Sequence, residues 1–446
     1  MGVRFSLKPN RIMFRNYPFS VMLLLCVPIF AVAEVPKELD AYLALPDDSF
    51  RWEVVDKSDM VTERTFLVDL TSQTWQGIPW KHYVLVAIPN KMTSPNHALL
   101  FIAGSSIGKK PNDNDKFLIR SLAEASGMCV ALLLQVPNQP LLGDYREDAL
   151  IGETLLKAIE TKDTTWPLLF PMTKSAIKAM DAVQAMLKQE KQFEINNFIV
   201  TGASKRGWTT WLTAASGDKR VVAIAPTVID TLNIRDQMKY QVETWGTFSP
   251  SIHDYTDRHL VQVDDSPASE FEKSLWAMID PYSYRSRMSL PKLLIHGTND
   301  PYWTVDATKF YFDDLPGVKY ILTLPNAGHG LDGQQIKAAQ TAAVFAKHAA
   351  RGKDWPTVKW KLAENNTEYR IDIETDLLLH AAKLWTAQSE TKDFRKAKWT
   401  STALTSKATL SVSVAKTESG HVAFFVELES SDDGLPFSLT TQVWRF

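Results

Sequence analysis

Four short apolar runs, separated by segments with helical spacing, are the strongest constraint on how this 446-residue chain folds. The runs lie at 98–102, 129–134, 198–200 and 292–295. Apolar runs without alternation are typical of strands buried on both faces of a parallel sheet. Helices are expected between them at 117–125 and at 173–188, with Thr173 as the cap of the second. Strand–helix alternation of this kind predicts an α/β chain with a doubly wound, mostly parallel sheet.

Three other segments complete the predicted domain organisation. A hairpin at 65–89 is expected at the edge of the sheet. Residues 230–288 are rich in aromatic side chains without a strand pattern, which indicates a cap inserted between two core strands. After Gly352 the pattern becomes all-β and predicts a small C-terminal β-sandwich. The expected domains are therefore 34–355, with the cap at 230–288, and 356–446.

The first 33 residues have the pattern of an export signal. Arg4, Lys8, Arg11 and Arg15 give a positive start, residues 21–30 are apolar, and Ala31-Val32-Ala33 supplies the small-x-small cleavage pattern. We predict a signal peptide at 1–33 and an exported protein, periplasmic or secreted, with no integral membrane segment after cleavage. An uncleaved N-terminal anchor is the alternative.

Composition bears on the classes of partner. A formal net charge of −2 gives no reason to expect nucleic acid as a partner. Cleavage would leave Cys129 as the single cysteine, so no internal disulfide is expected. The nine histidines form no HExxH pair and no Cys/His cluster, and we predict no metal and no cofactor. The sequence leaves the oligomeric state open.

A strand–turn–helix motif surrounds Ser204. A strained turn of this kind exposes the serine oxygen and directs a helix N-terminus at developing negative charge. Gly202 leaves room for the turn, but Arg206 occupies the position two after the serine where glycine is usual, and glycine follows one residue later as Gly207. A capping serine at a helix start is the alternative.

An acid and a base follow Ser204 in the order that α/β-hydrolases use. Asp300 comes directly after the run at 292–295, and His329 lies in a glycine-flanked loop after the apolar segment 320–324. Strand ends on one edge of a parallel sheet are where such folds place their sites. We predict Ser204 as nucleophile, His329 as base and Asp300 as acid. His296 is a rival base, and Asp306 and Asp332 are rival acids.

Two groups of side chains are expected around this triad. The backbone N–H groups of Lys205 and Ser105 are the predicted oxyanion donors. Trp208, Trp303 and Arg206 are predicted to contact the substrate. Core packing is the alternative for the two tryptophans, and surface charge or a salt bridge into the cap is the alternative for Lys205 and Arg206.

Several stretches of the chain resemble the PhoPQ-activated pathogenicity-related protein family. They are 200–211, Trp166-Pro167, 170–174, 297–300 and 326–329. That family is similar to α/β-hydrolases and is tied to bacterial virulence regulation and resistance to antimicrobial peptides. The resemblance implies the α/β-hydrolase fold and the triad Ser204, Asp300 and His329. The Gly-Ala-Ser-Lys-Arg-Gly elbow is also similar to the Gly-Cys-Ser-Arg-x-Gly elbow of glucuronoyl esterases.

Two functions are consistent with these patterns. The first is hydrolysis of a peptide or ester bond through an acyl-enzyme on Ser204, with a peptidase and a carboxylic-ester hydrolase as its two forms. The second is a secreted signalling or binding protein that retains a hydrolase fold and uses its β-sandwich as the contact module.

Overall fold

The computed structural model describes residues 1–3, 34–59, 63–190, 192–261, 269–352 and 355–446. The predicted signal peptide falls mainly on residues 4–33, which lie outside the described residues. Spatial proximity divides the chain into two units, Met1–Glu34 and Val35–Phe446, and every element named below belongs to the second. Among the described residues, no helix is both long and apolar enough to cross a bilayer.

The strands include one at each of the four predicted runs, and further strands lie before, between and after them along the chain. They are β1 (Arg51–Asp59), β2 (Glu63–Trp75), β3 (Ile78–Pro89), β4 (His97–Ile102), β5 (Cys129–Leu133), β6 (Asn197–Ala203), β7 (Val221–Thr227), β8 (Lys292–Gly297), β9 (Lys319–Leu324), β10 (Val358–Glu364), β11 (Glu368–Thr375), β12 (Ala381–Ser389), β13 (Thr400–Leu404), β14 (Thr409–Ala415), β15 (His421–Asp432), β16 (Leu435–Thr440) and β17 (Trp444–Arg445).

The helices lie mainly between the strands of the core. They are α1 (Glu38–Leu43), α2 (Asp113–Ser126), α3 (Glu147–Thr161), α4 (Leu169–Gln189), α5 (Lys205–Ala215), α6 (Ile234–Trp245), α7 (His253–Thr256), α8 (Glu270–Ile279) and α9 (Gln335–Arg351). The expectation that Thr173 caps its helix was wrong, because α4 begins at Leu169. Thr173 lies inside the first turns and donates from Oγ1 to the Leu169 carbonyl over 2.8 Å.

The central sheet has the order β3-β5-β4-β6-β7-β8-β9, in which every pair from β5 onward is parallel. The β2–β3 hairpin and β1 extend it in antiparallel fashion at one edge. One apolar cluster joins α4 and α5 to one face of the sheet, and a second joins α2 and α9 to the other. The predicted fold class, a doubly wound α/β-hydrolase sheet, is confirmed by this topology.

The C-terminal strands form a sandwich whose two layers differ in origin. β10, β11 and β14 make a separate three-stranded sheet, and its apolar face packs on β12 and β15. The second layer, β16-β15-β12-β13, continues the central sheet through the antiparallel pairing of β16 with β9 at Thr440 and Ile321. The predicted boundary near residue 355 remains a prediction. The chain between β7 and β8, where the cap is expected, contains α6, α7 and α8.

His82 is a buried histidine whose environment excludes charge. Its Nδ1 lies 3.0 Å from the Leu134 carbonyl and its Nε2 lies 2.9 Å from the Ser72 hydroxyl, so the neutral ring satisfies both contacts. Burial lowers the pKa of His82 to about 4, against the opposing effect of its backbone hydrogen bonds. The folded state therefore keeps His82 neutral at pH values where the unfolded chain takes up a proton.

We expect His82 to contribute to acid destabilisation in a defined window. Its folded pKa lies below the unfolded value of about 6.5, so its contribution to stability is lost as the pH falls from about 6.5 to about 4. The loss is on the order of 3 kcal/mol at pH 4. Urea unfolding across this range should give a shallower pH dependence of the unfolding free energy for His82→Gln. Equal slopes for the two proteins would contradict the assignment.

Candidate active site

Ser204 occupies a sharp turn between the end of β6 and the start of α5. Its backbone has φ +58° and ψ −128°, a conformation that costs energy for a residue with a side chain. Its N–H donates to the Thr227 carbonyl over 2.9 Å, and its own carbonyl accepts from the N–H of Trp208. These bonds hold the strained turn, which presents the serine oxygen at the N-terminus of α5.

The displaced glycine of the motif has a steric explanation. A Cβ on Gly202 would lie 2.7 Å from the Arg206 carbonyl oxygen and 2.9 Å from the Arg206 Cβ, so glycine at 202 makes room for the first turn of α5. A Cβ on Gly207 would lie 2.4 Å from Cγ2 of Ile229. The close approach to a neighbouring residue therefore falls at 207, one position later than the usual motif.

The structure brings Ser204, His329 and Asp300 together. His329 Nε2 lies 2.9 Å from Ser204 Oγ, and His329 Nδ1 lies 2.8 Å from Asp300 Oδ2. The Asp300 side chain is 6% exposed and the His329 side chain 26%. The other oxygen of Asp300 accepts from the Tyr302 N–H over 2.9 Å. A buried carboxylate with its orientation fixed in this way can hold one imidazole tautomer and stabilise an imidazolium.

The loops that carry Asp300 and His329 are packed against each other. The Asn299 N–H donates to the Ala327 carbonyl, and the Asn326 N–H donates to Thr298 Oγ1, each over 2.9 Å. Gly297 permits this approach, because a Cβ there would lie 2.4 Å from the Ala327 carbonyl oxygen. The acid and base are therefore positioned as one unit.

Segment 394–399, between β12 and β13, supports that unit from the C-terminal region. Asn299 Nδ2 donates to the carbonyl of Ala397 over 2.8 Å. Asn326 makes a two-way contact with the backbone of Trp399, whose carbonyl accepts from Nδ2 and whose N–H donates to Oδ1. This role was not predicted from the sequence, in which the asparagines at 299 and 326 were the available signal.

The predicted oxyanion donors lie at the carboxyl ends of neighbouring strands. Lys205 is the first residue of α5, so its N–H has no acceptor within that helix. Ser105 lies in the loop after β4, between Ala103, whose N–H donates to the Leu133 carbonyl, and Ser106, which bridges to Gln139. Their role as oxyanion donors remains a prediction.

The Lys205 and Arg206 side chains form salt bridges with acidic residues at the start of α3. Lys205 Nζ lies 3.0 Å from Asp148 Oδ2 and 3.2 Å from Glu147 Oε2. Arg206 makes a bidentate pair with Glu147 at 2.6 and 2.7 Å and donates from Nε to the Val136 carbonyl. Burial acts to raise the pKa of Glu147, but the hydrogen bonds and charge of Arg206, with the charge of Lys205, lower it to about 2. These ion pairs reach α3, whereas the alternative drawn from the sequence was surface charge or a salt bridge into the cap.

Two of the predicted substrate contacts are corrected by burial. Arg206 is 9% exposed, and its guanidinium is already bound to Glu147 and Val136. Trp208 is 6% exposed, and its indole N–H donates to the Ile279 carbonyl over 2.7 Å. Both side chains therefore support the elbow from inside the fold. Trp303 is partly buried beside Asp300, where it lines a small cavity with Asp230 and His296.

The rival residues lie outside the hydrogen-bonded triad. His296 belongs to β8 and lines the cavity of about 20 Å³ next to Asp300. Asp306 Oδ2 accepts from the Tyr240 hydroxyl over 2.6 Å and from Lys309 over 3.0 Å. Within the described part of the chain, no group of three or more His, Cys, Asp or Glu residues could hold a metal ion.

Comparison with known proteins shows what the chain is similar to in sequence and in structure. It is 30% identical over 465 residues to the autocrine proliferation repressor protein A of Dictyostelium discoideum, covering 95% of this chain and 92% of that one. Acetyl xylan esterase 1 from Thermoanaerobacterium sp. JW/SL YS485 is similar in structure, with 15% identity, a TM-score of 0.48 and coverage of 70% and 94%. For a glucuronoyl esterase from Solibacter usitatus the values are 12%, 0.41, 70% and 91%.

The family follows from the sequence. The sequence model of the PhoPQ-activated pathogenicity-related protein family matches residues 39–395 of this chain. That range includes the elbow, both loops of the triad and the first two residues of segment 394–399. The chain therefore belongs to this family.

We expect Gly297→Ala to uncouple the triad. The new Cβ would force the loop carrying His329 outward by about 1 Å, and a displacement of that size can cost about a hundredfold in rate. The measurement is the rate at which a fluorophosphonate labels the protein. Gly217→Ala is the control, since it places a side chain at φ +74° with no atom within 4 Å. It should cost about 1 kcal/mol of stability and keep the wild-type labelling rate. Equal rates in both variants would contradict the packing argument.

Proposed function

We propose that this member of the PhoPQ-activated pathogenicity-related protein family is a serine hydrolase that cleaves a carboxylic ester or peptide bond. The observation that carries the proposal is the continuous pair of hydrogen bonds from Ser204 to His329 to Asp300. A free serine hydroxyl is a weak nucleophile, and an adjacent base that is itself oriented by a carboxylate is the usual means of activating it.

The geometry supports a two-stage reaction. Ser204 Oγ attacks the substrate carbonyl carbon while its proton passes to His329 Nε2, and Asp300 stabilises the imidazolium. The N–H groups of Lys205 and Ser105 are proposed to receive the oxyanion. His329 then donates the proton to the leaving alcohol or amine, which leaves an acyl group on Ser204. Water, deprotonated by His329, releases the acid and restores the serine.

Export and biological setting form a further part of the proposal. The pattern at 1–33 supports a signal peptide and a periplasmic or secreted enzyme. The family description, pathogenicity-related, supports a reaction that serves virulence. Resistance to antimicrobial peptides, which the resemblance to the family implies, is the form of this role that we propose. Peptide bonds are then one class of substrate, and esters, including glucuronoyl esters, are the other.

We expect a labelled fluorophosphonate to modify the wild type and to leave Ser204→Ala unmodified, because the probe reacts with an activated serine oxygen. Gel fluorescence measures the labelling, and Ser216→Ala, at the far end of α5, is the control that should label as the wild type does. Absence of labelling in the wild type, or equal labelling of Ser204→Ala, would refute the nucleophile. A panel of peptides and acyl esters then separates peptidase from esterase.

A second candidate function is favoured by one relative. The Dictyostelium discoideum protein is named an autocrine proliferation repressor. This chain would then act as a secreted signalling protein on a hydrolase fold, with the C-terminal sandwich as the contact module. Purified wild type and Ser204→Ala added to the producing cells distinguish the two functions: an equal effect on proliferation supports signalling without catalysis.

A further inference from the structure

Tyr302 lies two residues after the triad acid and contacts the triad base with its ring. The ring centroids of Tyr302 and His329 are 4.3 Å apart, with 33° between the planes. The Tyr302 N–H also donates to Asp300. The same residue therefore touches both the acid and the base, through its backbone and its side chain respectively.

The chain between β7 and β8 holds Tyr302 in this position. Gln241 of α6 donates from Nε2 to the Tyr302 carbonyl over 2.8 Å and accepts at Oε1 from the Ser249 N–H. Ser249 in turn donates from Oγ to the Pro301 carbonyl. The backbone of residues 301 and 302 is thus fixed by side chains of the segment where the cap is expected.

The phenol end of Tyr302 reaches Asp148, which is shared with other groups beside the nucleophile. The Tyr302 hydroxyl lies 3.5 Å from Asp148 Oδ2, and that oxygen also lies 3.0 Å from Lys205 Nζ. The Tyr255 hydroxyl donates to Asp148 Oδ1 over 2.9 Å. Asp148 therefore links the ring that covers His329 to the residue that follows Ser204.

We propose that Tyr302 is a positioning residue. Its ring packs against His329 and stabilises the imidazolium, and its backbone connects the chain between β7 and β8 to the triad. The face of an aromatic ring carries partial negative charge and attracts a cation placed over it. This inference rests on the proposed function, in which His329 gains a proton during the reaction. Burial, with the charges of Asp148 and Asp300, raises the pKa of Tyr302 to about 12, so the phenol stays neutral.

Any pH effect must be judged against the other charged groups around this pair. They lie on α3, α5, α7 and the loop after β8, and they are Glu147, Asp148, Lys205, Asp254 and Asp300. Substitution of Tyr302 removes none of these charged groups and keeps the backbone N–H to Asp300, but it takes the hydroxyl away from Asp148. Tyr302→Phe removes the hydroxyl alone, so a change in the pH profile that leucine causes and phenylalanine does not is assigned to the ring.

The test is the rate of fluorophosphonate labelling as a function of pH in Tyr302→Leu and Tyr302→Phe. Leucine keeps apolar cover over His329 but removes the ring, so the plateau rate should fall roughly three- to thirtyfold. The midpoint of the acid side of the profile should move to lower pH, since the protonated histidine loses a stabilising contact. Phenylalanine keeps the ring, and both quantities should stay within about twofold of the wild type.

The outcomes separate the inference from the proposed function. Failure of the wild type to label refutes the proposed function. A wild type that labels, with Tyr302→Leu matching it in rate and midpoint, overturns the positioning role alone. Equal losses in Tyr302→Phe and Tyr302→Leu also overturn it, because the effect would then belong to the hydroxyl and Asp148. Should Tyr302→Leu fail to fold, Tyr302→Met tests the same loss of the ring.

Discussion

The imidazole of His329 makes two hydrogen bonds at once, to the hydroxyl of Ser204 and to the carboxylate of Asp300. Both exist only if the ends of β6, β8 and β9 are held in fixed relation, since one of the three residues follows each strand. The parallel sheet sets that relation coarsely by bringing its carboxyl ends to one edge. Finer placement comes from the strained turn at Ser204 and from the close packing of the loops at Gly297.

Support for this double contact comes from parts of the chain that are distant in sequence. The C-terminal region reaches the acid and base loops through segment 394–399 and the asparagines at 299 and 326. The segment between β7 and β8 reaches the same loops through Gln241 and Tyr302. Both regions therefore have a structural reason to accompany the hydrolase core, because each restrains one side of the loops that carry Asp300 and His329.

The sequence was informative where chemistry depends on local order. Ser204, Asp300 and His329 could be predicted as candidates because each follows a short apolar run, and that order is visible along the chain. The partners of Lys205 and Arg206 were not, because Glu147 and Asp148 lie almost sixty residues away, on a helix that was not predicted. Burial was equally hidden from the sequence. Trp208 is the kind of side chain that often contacts substrates, but it lies in the environment of a core residue. Local pattern gives element type and order, whereas pairing across the fold depends on tertiary packing.

The proposed reaction depends on Ser204 carrying the acyl group during turnover. To detect that group, an activated acyl ester is mixed with the wild type, and the mixture is quenched rapidly in acid and digested for mass spectrometry. We expect one added acyl group on the peptide that contains Ser204, decaying as turnover proceeds. An adduct on a different residue, or ester hydrolysis at the wild-type rate by Ser204→Ala, would contradict it.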